Sequence, residues 1–175
     1  MIRISDTDLL RVRNGHIVST LQPVARKVTE LVAYGSFASP PDSVWAVLDD
    51  VENYTTTMPS VRSSELLHRH EHGLRMRLIV ATPFPLPDIS SLYESVHSRG
   101  DGVWKREWTQ VDKGLAPNSG SWTLISMPDD HGRTLAEYRV RVELLIPIPK
   151  RVIHFAHKRV LPELFGRVDT HARAV

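Results

Sequence analysis

Apolar and polar residues alternate most clearly in the second half of the chain. Tyr138, Val140, Val142 and Leu144 alternate with Glu137, Arg139, Arg141 and Glu143, and Leu74, Met76, Leu78 and Val80 alternate with Arg75 and Arg77. A period of two places each set on one face of a strand, so both segments read as half-buried antiparallel strands. Around them the pattern predicts hairpins: Arg62–His70 with Leu74–Val80 across Glu71-His72-Gly73, Leu92–Arg99 with Val103–Val111 across Gly100-Asp101-Gly102, and Gly120–Met127 with Thr134–Ile146 through Asp129-Asp130-His131-Gly132. An earlier strand spans Lys27–Ala38, with Val28, Val32 and Tyr34 at even spacing. Ser39-Pro40-Pro41 then opens a short helix, because proline in the first turn sacrifices no hydrogen bond. Val44, Trp45, Val47, Leu48 and Val51 form its apolar face, and Pro59 closes the region after Tyr54 and Met58.

The period changes to 3.6 in the last segment. Over Lys150–Ala172, one stripe takes in Ile153, Ala156, His157, Val160, Leu161, Leu164 and Val168, and Pro162 is expected to kink the helix. Residues 1–25 read as an N-terminal arm or hairpin packed on the rest. Asn14-Gly15, between Leu9–Arg13 and His16–Thr20, is a hairpin signal. Residues 26–175 read as a single domain. The predicted order is a strand, two short helices, about six antiparallel strands and one long amphipathic helix. One helix cannot fill the concave face of so wide a sheet, so a cavity is expected between them.

Composition narrows the chemistry. The chain has 175 residues, no cysteine, and a net charge of +2 from 22 basic and 20 acidic residues. Disulfides, thiolate metal sites and cysteine nucleophiles are excluded, and the balanced charge argues against nucleic acid as a partner. Neither a signal-peptide core nor a membrane span is visible, so a cytoplasmic location is expected. No Gly-x-Ser-x-Gly elbow, Walker loop or dinucleotide glycine fingerprint occurs. Glu94, Glu107, Glu137 and Glu143 lie on alternating strands where solvation explains them. His68, His70 and His72 share a strand face at a spacing that suits zinc, yet a solvated hairpin tip suits them better; His154 and His157 suit a metal no better. Neither metal nor cofactor is expected. Trp104 and Trp108 flank Arg106 on one strand face, which suits a ligand wall, ordinary core packing or, with a basic surround that is missing here, stacking on single-stranded nucleic acid.

Four segments carry a resemblance: Ala38–Asp50 with Tyr54 and Met58-Pro59; Gly120-Ser121-Trp122-Thr123-Leu124; Thr134–Tyr138; and Ile148-Pro149 before a helix containing Leu161-Pro162-Glu163-Leu164. In order and spacing they resemble the START-related helix-grip (SRPBCC) superfamily, and within it the polyketide cyclase and coenzyme Q-binding branch. The resemblance implies an α+β helix-grip fold: a curved antiparallel sheet wrapped around a long C-terminal helix, with two short helices after the first main strand. It implies binding or carriage of a hydrophobic small molecule such as a lipid, isoprenoid quinone or polyketide. The alternatives are a polyketide aromatase/cyclase using the same cavity and a protein-interaction module with a vestigial one; the family supplies no universal catalytic motif.

Strand alternation facing the helical stripe gives the expected ligand-binding wall. From the strands come Met76, Leu78, Trp108, Trp122, Leu124, Tyr138 and Val140. From the helix come His157, Val160, Leu161 and Leu164, with His157 as the polar group that would orient a ligand head. Thr82–Pro87 and Ile146–Pro149 are expected near the mouth, where Phe84, Leu86 and Ile148 could touch a membrane transiently.

Overall fold

The computed structural model describes residues 2–82, 87–113, 117–143 and 156–175. Eight strands form one antiparallel sheet: β1 (Val18–Ala25), β2 (Val28–Phe37), β3 (Val61–His70), β4 (Gly73–Val80), β5 (Ile89–Gly100), β6 (Val103–Gln110), β7 (Asn118–Met127) and β8 (Asp130–Glu143). The order across the sheet is β1-β2-β8-β7-β6-β5-β4-β3. All neighbours are sequential hairpins except β2 and β8, which bring the first main strand beside the last. Helices α2 (Pro41–Asp49) and α3 (Tyr54–Thr57) follow β2, and α4 (Leu161–Ala172) ends the chain. The result is the helix-grip fold that the resemblance implied.

The concave face holds the main core. Ala33 and Phe37 of β2, Leu74 of β4, Leu124 of β7 and Ala136 of β8 meet Val44 and Leu48 of α2 and Val168 of α4. The inward side of β2 is therefore the odd series. Tyr34 lies on the opposite face with a second cluster of Val12, Met127 and Leu135. Helix α4 buries Leu161, Leu164, Phe165, Val168 and Ala172. Phe165, absent from the predicted stripe, stacks on Phe37 with ring centroids 5.3 Å apart. Its ring fills the space over Gly35, where a β-carbon would stand 2.6 Å from Phe165 Cδ1. The Ala38 amide donates to Asp169 Oδ1 at 2.7 Å, tying the exit of β2 to α4.

The N-terminus differs from the hairpin expectation. Asp6–Arg13 is helix α1, capped by Ser5, whose hydroxyl accepts from the Asp8 amide at 3.2 Å. Acidic residues in the first turn and Arg11 and Arg13 in the last complement the helix dipole. Gly15, at φ 82°, lies in the turn that leaves this helix rather than in a turn between two strands. Val18–Ala25 is the edge strand of the sheet, paired to β2. At the other end, a π turn over Ala156–Val160 leads into α4, with Pro162 in its first turn. Proline has no amide to give the Lys158 carbonyl, so a regular α-ladder cannot run through this point. Among the described residues no helix is long and apolar enough to cross a membrane.

Candidate functional site

The strand registers set the cavity out in rows. Arg106 of β6 lies opposite Trp122 of β7, which lies opposite Tyr138 of β8. The next row toward the other end of these strands is Trp108, Gly120 and Val140. Aromatic area dominates: the Trp122 and Tyr138 centroids are 4.6 Å apart, and Trp108 stacks on Tyr138 at 5.9 Å and 25°. Gly120 is needed in the middle of this row. A β-carbon there would stand 2.8 Å from Trp108 Cη2, so the missing side chain makes room for the indole.

Met76 and Leu78 of β4 extend the wall, Val160 of the π turn and Leu164 of α4 close it on one side, and Tyr54 of α3 with Met58 and Pro59 just after it on another. The cavity, which is partly open to solvent, measures about 220 Å³. Of the expected wall, then, Met76, Leu78, Trp108, Trp122, Tyr138, Val140, Val160 and Leu164 surround one space. Leu124 and Leu161 do not border it; both are buried in the core. The side chain of His157 lies outside the described residues, as do Phe84, Leu86 and Ile148.

Polar groups enter the cavity at two places. At one, Asn118 donates to the Tyr93 hydroxyl at 2.9 Å and to Gln110 Oε1 at 3.2 Å, while its own oxygen accepts from Trp108 Nε1 at 3.2 Å. At the other stands Arg106, only 2% exposed. Its Nε donates to Ser95 Oγ at 2.8 Å, its Nη1 to the Tyr54 hydroxyl at 2.6 Å and to the Leu48 carbonyl, and its Nη2 reaches the Met76 sulfur at 3.5 Å. Burial raises the pKa of Tyr54, against the pull of Arg106. Burial, with Tyr93 beside it, also raises that of Tyr138. Both hydroxyls are protonated at neutral pH.

Behind Arg106 a chain of side chains leads outward. Ser95 Oγ lies 3.1 Å from His97 Nε2, His97 Nδ1 lies 3.4 Å from Asp49 Oδ1, and Asp49 accepts from Arg69 at 2.8 Å. Burial, then Arg106, lowers the His97 pKa to about 4. This ring is therefore neutral at pH 7, with Nε2 facing Ser95 and Nδ1 facing Asp49. Asp49, Arg69 and His97 border a second, polar pocket of about 410 Å³ with Trp45, His70 and His72. The His68 and His70 rings are 6.3 Å apart, and among the described residues no three histidines or carboxylates converge on a metal position. Glu94 pairs with Arg75 at 2.6 Å, Glu107 with Lys105 at 2.8 Å and Glu137 with Arg139 at 3.5 Å, all away from the cavity.

Sequence reading overlooked Arg106, Tyr54, Tyr93 and Asn118 as cavity groups. A signal existed for Arg106: it shares the inward parity of Trp104 and Trp108. A charged residue on that parity must either be exposed at an edge or be buried with partners, and β6 lies inside the sheet.

This arrangement defines a helix-grip protein with an aromatic-walled cavity between sheet and helix. The family described as polyketide cyclase / dehydrase and lipid transport matches residues 38–168, and the chain belongs to it. Among curated proteins none matches the chain by sequence. Among solved structures, the STAR-related lipid transfer protein of Xanthomonas axonopodis superposes with a TM-score of 0.71 at 20% identity, covering 89% of this chain and 98% of that one. Human StAR-related lipid transfer protein 5 gives 0.68 at 11% identity, covering 96% and 92%. The Zhui aromatase/cyclase of a Streptomyces species gives 0.61 at 16% identity, covering 90% and 94%. At these identities the likeness is one of fold.

Proposed function

We propose that the protein binds and carries a hydrophobic small molecule in the cavity between the sheet and α4. The observation that carries this reading is the wall itself, where Trp108, Trp122 and Tyr138 stack around a space bordered by Met76, Leu78 and Leu164. Each 100 Å² of apolar ligand surface withdrawn from water there contributes about 2.5 kcal/mol before ordering costs. Lipid transport in the family description, and lipid transfer in the names of two structural relatives, support the same class of ligand. An isoprenoid quinone, a single-chain lipid and a polyketide all suit the class, and a cytoplasmic carrier would collect any of them from membranes or enzymes.

Cyclisation of a polyketide is the second reading, favoured by polar groups inside the cavity and by the relative named as an aromatase/cyclase. It demands a group that takes up and returns protons near neutral pH. Tyr54 and Tyr138 are held protonated, Arg106 is a fixed cation, and His97 contacts Ser95 rather than bordering the cavity. These groups can polarise a carbonyl but exchange protons poorly, so binding is the better supported of the two.

Tryptophan fluorescence tests the reading. Titration with decyl-ubiquinone, a quencher, should reduce emission saturably, and Trp108→Phe should remove part of the quenched signal. Emission that falls only linearly, as in collisional quenching, would contradict a bound site.

A further inference from the structure

Arg106 is the largest fully enclosed side chain among the described residues. A guanidinium out of water is costly unless an opposite charge accompanies it. None of its hydrogen-bond partners among the described residues is a carboxylate: they are a hydroxyl of Ser95, a hydroxyl of Tyr54, the Leu48 carbonyl and the Met76 sulfur. The carboxylate in the chain of contacts behind it, Asp49, stands beyond Ser95 and His97 and is already paired with Arg69.

The three strong acceptors all lie on Nε and Nη1. Among the described residues Nη2 makes one hydrogen bond, with a thioether, which is a weak acceptor. Arg106 borders the cavity together with Tyr54 and Met76, the partners of its two terminal nitrogens, so a guanidinium without a carboxylate partner stands at the ligand space. Ser95 fixes that orientation. Its oxygen accepts from Nε and lies 3.1 Å from His97 Nε2, so Ser95 is held between the two side chains.

We infer that the ligand is an amphipathic anion: an apolar body filling the aromatic cavity and an anionic head, of the carboxylate, sulfonate or phosphate class, docked on Arg106. This rests on the ligand-binding reading above and adds the charge of the ligand to it. Ser95 is a positioning residue for the head site. A charge-assisted bond in a desolvated site is stronger than a neutral one, so the charge sets the preference.

Two probes with the same aromatic body test it: anilinonaphthalene sulfonate and phenylnaphthylamine, which lacks the sulfonate. Fluorescence titration of the full chain should show the anion bound about tenfold tighter or more. The two should compete for one site, and excess inorganic sulfate should displace neither. In Arg106→Gln the preference should fall to about one with phenylnaphthylamine binding retained, and Arg106→Lys should restore part of it. Ser95→Ala should lower the preference without abolishing it, and the wild-type comparison stands alone if the arginine variants fail to fold. Equal affinities, displacement by sulfate, or separate sites would overturn the inference and leave the carrier reading standing. Binding of neither probe would overturn both.

Discussion

The indole of Trp108 occupies the space over Gly120, on the neighbouring strand directly opposite it. The pair sets the width of the cavity, because any side chain at position 120 drives the indole into the ligand space or the strand off its register. Gly120→Ala is expected to cost about 1–3 kcal/mol through overpacking. In a chain of this size that lowers Tm by roughly 2–4 °C per kcal/mol. Thermal melts with fluorescent-probe titration would measure both effects, and an unchanged Tm with unchanged probe affinity would show that the ring yields freely.

Tyr54 connects α3 to the buried cation, donating to the Leu48 carbonyl and accepting from Arg106. Tyr54→Phe removes the acceptor and leaves Arg106 on fewer partners. A loss of about 1–3 kcal/mol is expected in urea unfolding. A loss below a few tenths of a kcal/mol would mean that Leu48 and Ser95 suffice.

The alternation of β4, β7 and β8 made most of this site legible. Met76, Leu78, Trp122, Tyr138 and Val140 have one parity each, and the structure brings all five to the same space. Periodicity gives the face of a strand but not the position along it. That is why Leu124, on the same face as Trp122, falls in packed core instead. Leu161 likewise shares the helical face, but packing encloses it. Arg106 was read only as an interruption of an aromatic stripe, since pattern reading assigns charge to the solvent side. The N-terminal helix was hidden by Asn14-Gly15, although Ser5, Asp6 and Asp8 already spelled a capped first turn.

The titration of His97 gives a prediction with a definite sign. The unfolded chain takes up a proton near pH 6.5, and the folded chain only near 4. The unfolded state therefore binds more protons between these values, and stability falls as pH drops through that window, with no further change below it. Arg106, Asp49, Arg69 and His70 act electrostatically on the ring, and Trp45 packs edge-on against it at 5.2 Å. Its share of the loss is on the order of 3 kcal/mol over that window. His97→Gln keeps a hydrogen-bonding group for Ser95 but cannot titrate, so its unfolding free energy should fall less steeply than wild type from pH 6.5 to 4. Parallel curves would remove His97 from the pH response.

Phe165 anchors α4 through Phe37 and Trp122 over Gly35. Phe165→Ala leaves a hole at the grip of helix on sheet, and a loss of about 3–5 kcal/mol is expected. Hydrogen exchange should show the opening concentrated in α4 and β2. Uniform loss of protection across the sheet would place the anchor elsewhere.

Native mass spectrometry of gently purified protein tests the central claim most directly. The wild-type chain should carry an added mass that organic extraction removes, and Val140→Trp, which fills the cavity, should lack it. A bare wild-type mass, with no uptake of decyl-ubiquinone, a long-chain carboxylate or anilinonaphthalene sulfonate on incubation, would contradict a ligand-carrying cavity.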